Sequence, residues 1–380
     1  YETEGSRDSD LGARATLPDA EYEAMAPVPW PARAGKPPEP RVFADGSFFT
    51  NDRKARFVAP DVPALRSETT AARPLRLNTG RIRDQWHTMT RTGLSPRLSA
   101  HLPEPFVEVH PDDALRYGLM HDGFAKVTTE HGQCILKVVV SERQQRGMLF
   151  APIHWNATNS SHGRVGALVA AHTDPFSGQP EAKATPAAIS PYEYVFRGFI
   201  LSRSELPLPS SLWWVRATVP GGFGYLFADN GDLTRWPAWF KARASDDVAD
   251  YMDVGGGVYR AASFAGDRIE TCVFVGPGHD AGDWNVVKTM FAADSLDDEQ
   301  RRMLLSGRAP DGTGGGPIVC ACFGVGRDTI CDAIASGART PAAIGARLKA
   351  GTNCGSCIPE MKRLIAQTAT QAADAVKVAS

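Results

Sequence analysis

Apolar and polar positions alternate most clearly where the chain reads PLRLNTG. Leu75 and Leu77 alternate with Arg76 and Asn78, the two-residue period of a half-buried strand, and Thr79-Gly80 predicts the turn that ends it. FVEV then predicts a strand and HPDDALRYGL a short helix. Pro111 suits the first helical position, Asp112 and Asp113 the positive N-terminal end, and Gly118 the stop. FAKVTTEHGQCILKVVVSE predicts a hairpin bending at Glu130-His131-Gly132, and RGMLFAPIHW runs from an apolar strand into a polar loop. Many short strands with one helix predict a β-barrel over residues 73–192.

The flanks carry weaker patterns. Residues 1–40 are polar and then Pro-rich, and PVPWPARAGKPPEP cannot continue a helix or a central strand. RVFADGSFFTNDRKARFVA predicts two short strands around turns at Asp45-Gly46 and Asn51-Asp52, so 1–72 reads as a connector and the end of an upstream core domain. Over 193–312, WWVRATVPGGFGYLFADN, VYRAASFAGDRIETCVFVGP and SLDDEQRRMLLSG predict a small mixed unit, α/β or α+β. GGFG and VGGGV are read as hairpin turns, because neither completes GxGxxG between a strand and a helix. Trp213, Trp214, Trp236, Trp239 and Trp284 are read as core or interface aromatics. DGTGGGP is a flexible joint before a last domain at 313–372, and 373–380 is a tail. The fold class is α+β multidomain.

A length of 380 residues accommodates two or three domains. A net charge of −2 gives no global case for nucleic acid or an anionic membrane surface, and no run of 18 apolar residues predicts a membrane span. Cys134 and Cys272, in strand-like apolar runs, read as core thiols. The cysteine usage fits a reducing compartment, hence a cytoplasmic location. The start, YETEGSRDSD, has neither an initiator Met nor a signal segment, and reads as a piece of a longer protein.

Two clusters carry candidate chemistry. Cys320 and Cys322 form a CxC pair, Cys354 and Cys357 a CxxC pair, with a helical segment between and Gly324, Gly326 and Gly355 allowing tight turns. Four soft thiolates suit zinc or an iron–sulfur cluster; zinc ribbons usually repeat CxxC twice, unlike this pattern. Cys331, within RDTICDAIA, reads as an apolar helix position. Separately, Ala71–Ala100 holds six arginines (73, 76, 81, 83, 91, 97) against Asp84 alone. Beside a Gly turn with Thr79, Thr88 and Thr90, that excess suits either an anionic phosphate or a solvated basic face. His154 and His162 are read as hydrogen-bonded surface imidazoles.

CACFGVGRDTI followed by AGTNCGSCIPEM resembles the bacterioferritin-associated ferredoxin (BFD) domain, a small helical unit holding a 2Fe-2S cluster. That resemblance implies Cys320, Cys322, Cys354 and Cys357 as ligands. Residues 73–192 resemble the molybdopterin-dinucleotide-binding domain of the molybdenum oxidoreductases, a double-psi β-barrel, and within that family the assimilatory nitrate reductases. It implies that Thr79, Gly80, Arg81, Trp86, His87, Thr88, Trp155 and Lys183 contact a Mo-bis(molybdopterin guanine dinucleotide) cofactor. One departure is Gly166, which falls where periplasmic relatives place an Asn ligand to the cofactor. Implied further are reduction of nitrate to nitrite and a donor that is a ferredoxin, a flavodoxin or an NADH-dependent flavoprotein. The molybdenum ligand and a 4Fe-4S cluster are expected upstream, and no catalytic residue is expected in this chain. Alternatives are another molybdopterin enzyme such as a formate dehydrogenase, a non-catalytic 2Fe-2S electron carrier, and a zinc-structured module.

Overall fold

The computed structural model describes residues 11–32, 35, 41–61, 64–278, 281–307 and 315–378. It comprises two compact units, Tyr1–Ala64 and Leu65–Ser380. The described part of the first holds a short helix, α1 (Asp19–Glu23), and a succession of turns. The two strands expected in RVFADGSFFTNDRKARFVA do not form. Asp45 Oδ1 accepts from Ser47 N at 2.9 Å and Asp52 Oδ1 from Lys54 N at 3.2 Å, so side chains take amides that a strand ladder would use.

The second unit starts with a closed barrel of β1 (Leu75–Gly80), β2 (Phe106–Val109), β3 (Phe124–Thr128), β4 (Gln133–Val140), β5 (Met148–Pro152) and β6 (Thr185–Tyr192), in the order β1-β5-β2-β4-β3-β6. Leu75, Leu77 and Thr79 are buried while Arg76 and Asn78 are half-buried, as the alternation predicts; β1 continues through Gly80 before it turns. Leu77, Val107, Leu136, Val138 and Leu149 form the centre of the core. Helix α2 (Pro96–Ser99) precedes β2 and lies against the neighbouring sheet. Helix α3 (Pro111–Arg116) starts at Pro111, and Gly118 follows at φ +66°.

Two strand pairs are parallel, β1 with β5 and β2 with β4; the others are antiparallel. This pairing positions the site. Because β1 and β5 run the same way side by side, the loops leaving them emerge at one end of the barrel. Strand β6, antiparallel to β1, is entered from that same end. Residues 81–90, 153–163 and 172–184 therefore share one mouth.

Strands β7 (Phe196–Ser202), β8 (Trp213–Val219), β9 (Gly222–Asp229), β10 (Asp247–Asp253), β11 (Val258–Ala265) and β12 (Arg268–Pro277) form a sheet in the order β10-β11-β12-β7-β9-β8. Every pair in it is antiparallel, the α+β arrangement of the two expected. The GGFG and VGGGV stretches are its hairpin turns, with Gly221 at φ +77° and Gly257 at φ +70°. Helix α4 (Arg235–Lys241) packs Trp236 and Phe240 on one face; α5 (Trp284–Ala292) and α6 (Asp298–Leu304) pack Val287, Phe291 and Leu304 on the other. Trp213 ties sheet to barrel, its Nε1 donating to Ile135 O at 2.9 Å.

The last segment forms a two-stranded ribbon, β13 (Ile318–Cys320) and β14 (Val325–Gly326), with α7 (Arg327–Ala335), α8 (Pro341–Leu348) and α9 (Ile358–Val378). Ile330, Ile334, Ile344 and Met361 fill its small core, and half-buried Cys331 packs against it. Helix α9 continues through most of the expected 373–380 tail. The joint expected at DGTGGGP falls mostly outside the described residues. No described helix is long and apolar enough to cross a membrane.

Candidate functional site: a barrel mouth joined to a thiol quartet

At the mouth, β1 ends against the chain entering β6. Thr79 Oγ1 donates to Ala182 O at 2.6 Å, and Lys183 Nζ donates to Thr79 O. A Cβ on Gly80 would stand 2.8 Å from the Phe150 ring, so a larger residue would have to push that ring aside. In the loop that follows, Asp84, Thr88 and Met89 all take positive φ, at +71°, +45° and +60°. Such conformations persist only where surrounding contacts enforce them, and they concentrate at functional sites.

The enforcing contact is His154, which the sequence reading placed on the surface. The structure buries it completely, whereas His162 is exposed. His154 Nε2 accepts from Ile82 N at 3.0 Å while Nδ1 lies 2.8 Å from Trp86 O. A neutral ring with its proton on Nδ1 satisfies both. Burial pushes its pKa down, as do the nearby His87 and Arg81 charges, against the pull of the Trp86 carbonyl. The loop so held exposes Arg81, Trp86, His87 and Thr88.

Trp155 departs from an open stacking platform. It is 2% exposed, packed with Phe124, Trp213, Ile82 and Met89 beneath the loop, and its buried Nε1 has no partner among the described residues. Gly166 lies on an exposed turn with nothing within 4 Å of an added Cβ. Nor do the six arginines form one face. Arg76 donates to Ser67 O and Ala184 O, Arg83 reaches the last domain, Arg97 and Arg73 line two separate clefts, and Arg91 is exposed beyond the loop, which leaves Arg81 exposed at the mouth.

The four cysteines of the last domain meet in two pairs that cross the sequence order. Cys322 and Cys354 Sγ atoms are 3.3 Å apart, and the buried free thiols of Cys357 and Cys320 neighbour each other. Burial and the Cys320 sulfur push the Cys357 thiol up to about 11; a hydrogen bond from Ser356 holds Cys354 below the ordinary thiol value. Two sulfurs on one tetrahedral metal at about 2.3 Å stand about 3.8 Å apart, close to the Cys322–Cys354 separation. Among the described residues, no three Cys, His, Asp or Glu side chains are placed to hold a single metal ion. Two pairs fit a two-iron cluster better than a single zinc ion.

Arg83 joins the two halves of the site. Its Nη2 donates to Val319 O at 2.8 Å, beside Cys320, and its Nη1 to Ser356 O at 3.2 Å, beside Cys357. Nη1 also lies 3.3 Å from Glu360 Oε2, and Nε 2.8 Å from Asp84 Oδ2. His101 completes the latch, 3.1 Å from Asp84 and 3.4 Å from Glu360, with its Nδ1 poorly aligned for a true hydrogen bond. Burial opposes charge on His101, but the two carboxylates outweigh it and raise its pKa.

Comparison with known proteins matches this architecture. Residues 75–186 match the molydopterin dinucleotide binding domain and residues 318–367 the BFD-like 2Fe-2S binding domain. The chain thus carries a molybdopterin dinucleotide-binding domain over its barrel and a 2Fe-2S-binding domain behind it. Several relatives are nitrate reductases, and the chain is also 27% identical over 160 residues to "F420-dependent formate dehydrogenase 1 subunit alpha" of Methanococcus maripaludis, covering 42% of this chain and 23% of that protein. It is 39% identical over 377 residues to "Nitrate reductase" of Klebsiella oxytoca, covering 98% of this chain and 42% of that protein. It is 30% identical over 248 residues to "Nitrate reductase" of Shewanella frigidimarina, covering 58% and 26%. To the "Assimilatory nitrate reductase catalytic subunit" of Bacillus subtilis it is 28% identical over 166 residues, covering 43% and 23%. The chain spans less than half the length of each.

Proposed function

We propose that this chain is part of a cytoplasmic, assimilatory, molybdenum-dependent nitrate reductase, in which it holds a Mo-bis(molybdopterin guanine dinucleotide) cofactor and relays electrons to it. The observation that carries this reading is Arg83, a single side chain shared by the thiol quartet and the strained loop at the barrel mouth. The residues at the mouth fit an anionic dinucleotide. Lys183 and Arg81 supply charge, and Gly80 permits close approach of backbone. Trp86, His87 and Thr88 present further exposed groups on the same loop.

When bound, the molybdenum cofactor would supply two-electron chemistry and oxygen-atom transfer from an oxyanion. The residues of this chain bind, orient and conduct; none is assigned to bond-making. In this reading the barrel is of the double-psi type, and Cys320, Cys322, Cys354 and Cys357 ligate a 2Fe-2S cluster. The molybdenum ligand and a 4Fe-4S cluster belong to the upstream part of the enzyme.

The test is turnover by the full-length protein. Molybdenum, guanine nucleotide and acid-labile sulfide should co-purify with it, and reduced methyl viologen should drive nitrate to nitrite. Formate oxidation without nitrate turnover would replace the reading with a formate dehydrogenase, and zinc without sulfide would replace the cluster.

A further inference from the structure

The thiol quartet has two unlike sides. Cys320 and Cys357 are buried, and the carbonyls beside them are held by Arg83 from the barrel mouth. Cys354 is exposed and Cys322 half-exposed; Cys322 lines a cleft of about 580 Å³ between α2, α5 and the 321–324 turn. This cleft belongs to none of the cofactor contacts described above.

Its chemistry is selective. Arg97 and Lys288 line it, and no carboxylate does so among the described residues. Arg97 is exposed and has no ion-pair partner among those residues; Lys288 Nζ is anchored by Asn285 Oδ1 at 2.9 Å. Phe323, 43% exposed, and Pro96 and Pro220 add apolar surface. A phosphate-bearing small molecule would look for free backbone amides at the start of α5. The Asp283 carboxylate already accepts from Asn285 N and Val286 N there. What remains is an apolar floor with side-chain cations, suited to protein carboxylates around an exposed redox centre.

We propose that this cleft is the docking site of an acidic one-electron carrier protein, whose electrons enter at the Cys322–Cys354 side of the quartet and leave past Arg83. This rests on the 2Fe-2S assignment and deepens it. Each docking event oxidises the carrier by one electron and reduces the cluster by one. Two events, with two protons from water, supply the conversion of nitrate to nitrite and water.

The experiment uses the holoenzyme and two reductants, an acidic flavodoxin in its hydroquinone state and methyl viologen. Cluster reduction is followed by freeze-quench electron paramagnetic resonance and nitrite formation separately. In Arg97→Glu, and in the milder Lys288→Gln, the flavodoxin concentration for half-maximal cluster reduction should rise at low salt, about tenfold for the charge reversal. The viologen rate should stay at the wild-type value, and Arg97→Lys should restore docking. At 0.5 M salt, where screening acts within about 4 Å, the difference should disappear.

Unchanged flavodoxin kinetics in both variants would overturn the proposal, as would a loss matched with viologen. Saturable binding of free flavin mononucleotide that Arg97→Glu abolishes would overturn it in favour of a small-molecule site. Failure of the nitrate reading looks different: no nitrite from the wild type with viologen, while the flavodoxin effect on cluster reduction persists.

Discussion

Truncating Arg83 to Ala probes the link between cluster domain and barrel. The change removes charged donors from Val319 O and Ser356 O, and the positive partner of Asp84 and Glu360. Arg83 is 22% exposed and Asp84 8%, so solvent compensates little at the Asp84 end and more at Glu360, 27% exposed. A hydrogen bond to a charged group contributes about 1.5–3 kcal/mol, and contacts sharing one side chain do not add. With partial screening, about 3 kcal/mol of docking free energy should be lost, roughly a 150-fold fall in the docked-to-undocked ratio. Amide hydrogen exchange on the holoenzyme measures this directly. Exchange at 318–322 and 354–361 should accelerate toward that factor, while the hairpin β3–β4 keeps its protection. Arg83→Lys, keeping one charge without the fork, should fall between. Unchanged protection in Arg83→Ala would refute the latch, and loss of protection throughout the barrel would mean that Arg83 stabilises the fold generally.

Three other outcomes are expected. Cys354→Ser should abolish the 2Fe-2S spectrum and leave molybdenum content near normal; an intact spectrum would contradict the ligand set. Lys183→Ala should weaken dinucleotide retention by about 1.5–3 kcal/mol, read as guanine nucleotide remaining after gel filtration, and full retention would remove Lys183 from the site. His154 is held neutral with a lowered pKa, so the unfolded state binds its proton more readily. Its contribution is therefore complete above the unfolded value of about 6.5 and lost as pH falls below it. The melting temperature should decline from pH 6.5 downward less steeply in His154→Gln than in the wild type, and parallel slopes would refute the assignment.

The local code of the chain was legible. The Leu75/Leu77 alternation, the Pro111 start and Gly118 stop, the hairpin at 130–132 and the GGFG and VGGGV turns depend on near neighbours in sequence, and each stands in the structure. The spacing of four cysteines likewise pointed to the domain at 318–367 that matches the BFD-like 2Fe-2S binding domain. At 41–58 the same local code misled, because Asp45 and Asp52 satisfied their neighbours' amides and a lone hairpin had too little to pair with.

Tertiary structure decided the rest, since it depends on which strands lie side by side. Only the parallel pairing of β1 with β5 brings His154 under the 81–90 loop, so a loop histidine became the buried support of the site. Only the docking of the last domain turns Arg83 from one of six similar arginines into a bridge, and sends Arg97 to another cleft. The sulfur pairs cross, Cys322 with Cys354 and Cys320 with Cys357, because helix packing sets which thiols meet. Sequence spacing is a one-dimensional constraint; charge and hydrogen-bond partners 70 to 280 residues apart are chosen by packing.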